Sequence, residues 1–226
     1  NGLFSSAQIE QLLSVKSYEG ALRFLTEHGW GDADTPLSAE AILTREKAKS
    51  WETVRDLLKG DDAILAVLSY GDLYHNLKAA IKDAAAPGSH GNVYFDDCEV
   101  DGARMSKIVA EKDWQALPAH MREAAKEASE TFLHTGDGQL CDIIVDRSAL
   151  AAIYECGKNA SDAIIRDYAE TTVAVADIKI AVRSQKTGKH LDFMRRAMAP
   201  CDSLNIERLS QAALGGVGAI CEYLEG

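Results

Sequence analysis

Apolar residues recur along this chain at three- and four-residue spacings, the period of helices that turn one face inward. Ser5 opens the first such run as an N-cap with Gln8 at N3, and Phe4 and Ile9 flank it at the positions of a hydrophobic staple. Ser17 opens a second run through Tyr18, Leu22 and Leu25, with Gly29 placed to end it. A longer helix is expected over 38–60, striped by Trp51, Val54 and Leu58. Asp61 or Asp62 starts a short helix over 63–68. Asp72 then caps a segment bearing Leu73, Leu77 and Ile81 at i, i+4 and i+8.

The run Ala86-Pro87-Gly88-Ser89-His90-Gly91 is the strongest breaker in the chain and predicts a domain boundary. Only 92–95 reads as briefly extended. Asp101 leads into a helix with Met105, Ile108 and Val109. Pro118 suits the first position of the next, which runs to about His134. Thr135-Gly136-Asp137-Gly138 is a turn, and Leu140, Ile143, Ile144 and Ala151 mark a helix ending near Gly157. Ser161 caps a long helix through Ile164, Tyr168, Val175, Ile178 and Val182, stopped near Gly188. Its roughly 26 residues make a stiff rod of about 39 Å.

Composition sharpens this picture. The 226 residues are 46% hydrophobic with only four prolines, which suits a helical fold with a sizeable core. The net charge of −11 excludes nucleic acid and anionic lipid as natural partners, since both demand a basic footprint, and favours a basic protein surface. No apolar run is long enough to span a bilayer, so no direct lipid insertion is expected, and no signal peptide is legible. Five widely spaced cysteines without a Cys-x-x-Cys pair read as free buried thiols in a reducing compartment.

The chain also repeats itself. Asn76-Leu77-Lys78-Ala79-Ala80-Ile81-Lys82 matches Asp177-Ile178-Lys179-Ile180-Ala181-Val182-Arg183 in residue type at an offset of 101. Upstream, Lys16-Ser17-Tyr18 with Ala21-Leu22 echoes Lys112-Asp113-Trp114 with Ala116-Leu117. Ile206-Glu207-Arg208-Leu209 parallels Ile9-Glu10-Gln11-Leu12 as the start of a third copy, closed by Tyr223-Leu224 as Phe24-Leu25 closes the first. The expected organisation is a first helical repeat over 1–91, a second over 92–190, and the start of a third over 191–226.

The run Tyr74-His75-Asn76-Leu77-Lys78, within 71–83, resembles the signature helix of the C-type subunits of V-type ATPases and ATP synthases, a family whose eukaryotic relatives are the d-type subunits. Asp177-Ile178-Lys179 with Val182-Arg183 and Gly188-Lys189 is similar to the ending of that family's second repeat, and Gly138-Gln139-Leu140 with Asp142-Ile143 and Asp146-Arg147 to the link into it. Leu73 stands where the family usually has Asp. The resemblance implies an all-α protein of tandem pseudo-symmetric repeats of about 100 residues. These would be arranged like a funnel, with the third repeat largely absent. It further implies a non-catalytic component without cofactors, cytoplasmic and peripheral to the membrane. Such a component links the central-stalk subunits D and F to the membrane rotor ring and transmits torque for ion transport.

His75 beside Tyr74 invites an acid/base reading, but no nucleophile or second titrating group accompanies it, and a hydrogen-bonded structural role is expected instead. Asn76 is expected to bond backbone at a helix crossing, and Lys78 to pair with a carboxylate or contact a partner. Trp30, Tyr94 and Phe95, near loops, are candidate aromatic anchors for a partner protein. Asp96 and Asp97, grouped with Glu99 and Asp101, lack the spacing of a calcium loop. They read as a solvated acidic surface able to steer a basic partner. Gly215-Gly216-Val217-Gly218 lacks the strand of a phosphate loop and reads as a helix–helix turn. The scattered His28, His90, His120, His134 and His190 form no metal-ligand pair. The remaining alternatives are a generic helical-repeat scaffold, whose repeats would be shorter, and a helical enzyme using His75 or a cysteine.

Overall fold

The computed structural model describes residues 3–58, 62–85, 93–95 and 98–226, and the described residues form eleven α-helices with two short 3-10 turns and no strand. The chain divides into two compact units, Asn1–Gly60 and Asp61–Gly226. The expected breaker at 86–91 lies outside the described residues. The repeat boundaries concern internal symmetry rather than compactness, and stay an expectation.

The first unit holds α1 (Ser6–Ser14), α2 (Tyr18–Glu27) and α3 (Ala39–Leu57). Their starts follow from short polar side chains that accept the free N–H groups of the first turn: Ser5, Ser17 and Ser38 each cap as expected, and Ser5 with Gln8 completes the capping box. The staple does not form. Ile9 stays 48% exposed, and Phe4 instead stacks on Trp30 at 4.9 Å and meets Phe24 edge-on, because two aromatic rings offer it more buried area than one aliphatic chain. Leu22, Leu25 and Ile42 form the small core with these rings. Glu46 and Lys49 of α3 hold both sides of the turn at Gly31 (φ 78°). Glu46 Oε1 accepts from its N–H and Lys49 Nζ donates to its carbonyl, each at 2.9 Å.

The second unit begins with α4 (Asp62–Ala85), continuous where a break near 68–72 was expected. Gly71 is exposed with open space around it, and Asp72 is an interior helical residue rather than a cap. A lone glycine costs a helix only about 1 kcal/mol. Burial of Val67, Leu73, Tyr74, Leu77 and Ile81 on either side outweighs that. Residues 93–95 are irregular rather than strand-like. Next come α5 (Gly102–Glu111), capped by Asp101, α6 (Arg122–Thr135) and α7 (Gly138–Lys158), capped by Asp137. Pro118 opens a 3-10 turn at Ala119–Met121 instead of α6 itself. Met105, Met121, Ala125, Ala128, Cys141 and Val145 close a core with α4.

α8 (Ala163–Lys186) is capped by Asp162, not Ser161, and is followed by α9 (Leu191–Ala197), α10 (Ile206–Gly215) and α11 (Val217–Glu225). Gly216 (φ 106°) makes the α10–α11 turn, as expected. Three of the apolar residues that mark α8 do not lie inward, although Val182 packs on the core beside Ala181. Ile164 is 75%, Tyr168 44% and Val175 40% exposed, while Ala169, Val173, Asp177, Ala181 and Ser184 are buried. Small side chains let α7 and α8 approach closely, so the narrow stripe faces in and the bulky one out. Gly157 of α7 sits in this crossing, and a Cβ there would overlap that of Ala169. Gly157→Ala is therefore expected to destabilise the protein by about 1–3 kcal/mol through overpacking, read as a lower urea midpoint at unchanged slope.

All five cysteines are free, but only Cys141 is buried, and that burial holds its thiol well above the ordinary range, at about 11. Cys221 is exposed and the other three are half-buried.

Candidate functional site

The sequence-predicted signature helix puts three polar groups against its surroundings in different ways. Tyr74 is 1% exposed. Its hydroxyl donates to the His120 carbonyl at 3.0 Å, lies 3.0 Å from His120 Nδ1, and accepts from Ser148 Oγ at 3.2 Å. Burial raises this phenol to about 12 and holds the His120 imidazole below its ordinary range. His75 points to the other side, its Nε2 2.9 Å from the Val93 carbonyl and its ring 4.9 Å from Phe95. That is the bonding of a positioning group.

Asn76 is wholly buried and saturated. Its Nδ2 donates to the carbonyls of Phe95 (2.8 Å) and Val100 (3.4 Å), and its Oδ1 accepts from Phe95 N–H at 2.8 Å. One side chain thus replaces a strand partner for an irregular segment. Lys78 donates to Asp146 at 2.7 Å and Lys82 to Asp142 at 2.9 Å, so two ion pairs tie α4 to antiparallel α7.

At the position 101 residues later stands Asp177, also 0% exposed. Its Oδ1 accepts from Ala199 N–H at 3.1 Å, holding the segment after α9 much as Asn76 holds the segment after α4. Its Oδ2 is buried with no partner. Desolvation dominates, opposed by the Ala199 bond and by Arg147, and raises the carboxyl to about 7. Glu170 fastens the same segment further on, accepting from Asp202 N–H (3.1 Å) and Ser203 N–H (2.7 Å). Ile178 is half-buried and Lys179 exposed.

The candidate partner contacts fall in both units. Trp30 belongs to the first unit, where it is half-buried on Phe4 with its indole N–H buried and unpartnered. Tyr94 donates to Asp83 at 2.8 Å and accepts from Ser106, covering Gly102, whose missing side chain leaves room for the ring. Phe95 is half-buried against His75. Asp96 and Asp97 lie outside the described residues.

Two features have no plain signature in the sequence. The Tyr70–Tyr74–His120–Ser148 cluster joins residues up to 78 apart, which no local pattern reveals. The outward groove on α8, a cavity of about 700 Å³ floored by Leu150, Ile164, Tyr168 and Val175, does have a faint one. Ala169, Val173, Asp177 and Ala181 compete with the exposed apolar stripe for the inward face.

Among the described residues no three His, Cys, Asp or Glu side chains assemble as metal ligands, and no helix is long and apolar enough to cross a membrane. The assembled chemistry is that of fixation: buried amide, carboxyl and phenol groups hold backbone and neighbouring helices in place. No curated protein and no solved structure matches this chain. The family model described as ATP synthase (C/AC39) subunit matches residues 1–226. With that match spanning the whole sequence, signature helix included, the chain belongs to the ATP synthase (C/AC39) subunit family.

Proposed function

We propose that this protein is the non-catalytic coupling component of a rotary V-type ATPase or synthase, joining the central-stalk subunits D and F to the membrane rotor ring. In this reading it sits on the cytoplasmic face, peripheral to the membrane, and carries torque that drives ion transport or is driven by it. The observation that supports the reading is the buried Asn76/Asp177 pair, each holding the backbone of the segment that follows its helix, in a chain of this family. Torque passes only through elements that do not open locally, and buried side-chain clamps on long helices stiffen loops that would otherwise yield. The same pair supports tandem repeats over 1–91 and 92–190, with a third beginning at 191. Candidate contacts are Trp30, Tyr94, Phe95, Asp96, Asp97 and Lys78, aromatic and charged types that anchor or steer protein partners.

Mixing the chain with the D/F stalk pair is expected to give a stoichiometric complex in native mass spectrometry. A mixture that shows only free components at tens of micromolar would sink this assignment.

A further inference from the structure

Asn76 and Asp177 each hold the segment that follows, but by unequal means. Asn76 engages both ends of its amide, Nδ2 donating to the Phe95 carbonyl and Oδ1 accepting the Phe95 N–H. Asp177 engages one oxygen of two: Oδ1 takes the Ala199 N–H, and Oδ2 is buried with no donor. Among the described residues no other Asp, Glu, Lys or Arg is buried. An orphan buried oxygen is far costlier as part of an anion than as part of a neutral acid.

Little around it offsets a charge. On α7, Arg147 is the cation that acts on it, from an exposed position, while Tyr154 faces Asp202. Every charged side chain of α9, α10 and α11 is exposed, and these helices bury only uncharged residues. The segment 198–205 contributes Asp202 and Cys201, whose thiol burial pushes up. Its N–H groups fasten it to α8 at two points, Ala199 on Asp177, and Asp202 with Ser203 on Glu170. Burial raises the Glu170 carboxyl, but the hydroxyl and N–H of Ser203 and the N–H of Asp202 outweigh it and hold the group below its ordinary range. Glu170 therefore stays ionised at neutral pH, and Ala199 hangs on the one acceptor of the two that changes charge there.

We propose that Asp177 is a proton-controlled latch on the segment that joins α9 to α10. Protonated, it lets Met198 and Ala199 lie buried against α8. Ionised, it favours a local opening in which these two residues lift and water reaches Oδ2, while Glu170 keeps the far end of the segment attached. The folded carboxyl is raised, to about 7, so the latch is shut in mild acid and loosens as pH rises through that value. The latch belongs to the fold and stands apart from the assignment of the stalk, so the two tests fail independently.

Amide hydrogen exchange of the full chain tests the latch, corrected for the intrinsic pH dependence of exchange. Protection of the Ala199 N–H is expected to fall roughly tenfold from about pH 6 to about pH 8, the ratio that linkage gives for a carboxyl freed from its raised folded value. In low urea this exchange should be nearly independent of denaturant, because a local opening exposes little surface. Asp177→Asn keeps an acceptor for Ala199 and should abolish the fall. Carbon NMR of the Asp177 carboxyl in the original chain is a second measurement that needs no variant, and should give the same midpoint. Protection at Ala199 that does not change with pH, or that falls equally in Asp177→Asn, overturns the proposal. So does a carboxyl that titrates in the ordinary aspartate range. Exchange at Ala199 with the full urea slope of unfolding would also overturn it, by showing that the whole fold opens and not the segment.

Discussion

Replacing Asn76 by alanine is expected to lower the unfolding free energy by about 3–5 kcal/mol, among the largest effects a single substitution can have here. Asn76 is 0% exposed and serves three backbone groups at once: the Phe95 N–H, the Phe95 carbonyl and the Val100 carbonyl. Each group left buried without a partner costs about 1–3 kcal/mol, and the Val100 contact at 3.4 Å is the weakest of the three. The void left by the amide adds a smaller penalty, because Leu73, Leu77 and Val100 pack tightly around the helix and relax only partly. Urea unfolding measures the loss. A change under about 1 kcal/mol would mean that water replaces the amide and that the clamp is dispensable. Asn76→Asp is informative beside it. The carboxylate keeps the acceptor for Phe95 N–H but sets a negative charge against two carbonyls, so this variant should be weakened at neutral pH and partly rescued by acid.

The second large effect is the pH dependence that Asp177 imposes. Its carboxyl titrates near 7 in the folded protein, against about 3.9 for an unfolded aspartate. Between those values the folded state holds a proton that the unfolded state has lost, so stability falls as pH rises from about 4 to about 7 and levels off beyond. Below pH 4 the contribution is fully present. The span corresponds to about 4 kcal/mol at most, the order of magnitude of a three-unit shift at 1.36 kcal/mol each. Asp177→Asn keeps an acceptor for Ala199 N–H and removes the titration. The variant is expected to be more stable than the original chain at pH 8, by about 1–3 kcal/mol, and nearly equal at pH 4. Every other titrating group is common to the two proteins, so the difference between their urea midpoints isolates this residue. Parallel curves from pH 4 to pH 8 would show that Asp177 is ionised throughout and that the buried oxygen finds a donor.

These two residues also show where sequence reasoning stops. The offset of 101 between them is legible, as is the helical character of both segments, because period and residue type are properties of the string. The sequence suggests that Asn76 bonds backbone at a helix crossing, whereas the backbone it bonds is the irregular segment at Phe95 and Val100. That Asp177 is buried does not follow, since an aspartate on a helix is far more often solvated. Its burial comes from α9 and the segment through Ala199 folding over it, a contact 22 residues away. Lys78 is legible as a candidate ion pair, yet its partner Asp146 is 68 residues distant and only the α4–α7 crossing selects it.

By itself the sequence determined the helical character of most segments, the caps Ser5, Ser17, Ser38 and Asp101, the glycine stops at Gly29, Gly136 and Gly188, and the family signature. Each of these depends on a few consecutive residues whose propensity and hydrogen-bonding are local. Tertiary structure decided which face each helix buries and which cations find partners. It carried α4 through Gly71, where packing on both sides outweighs one glycine's preference. It turned the bulky stripe of α8 outward, because Gly157 and Ala169 allow an approach that larger side chains forbid. Burial is a property of pairs of surfaces, and the sequence carries only one surface at a time.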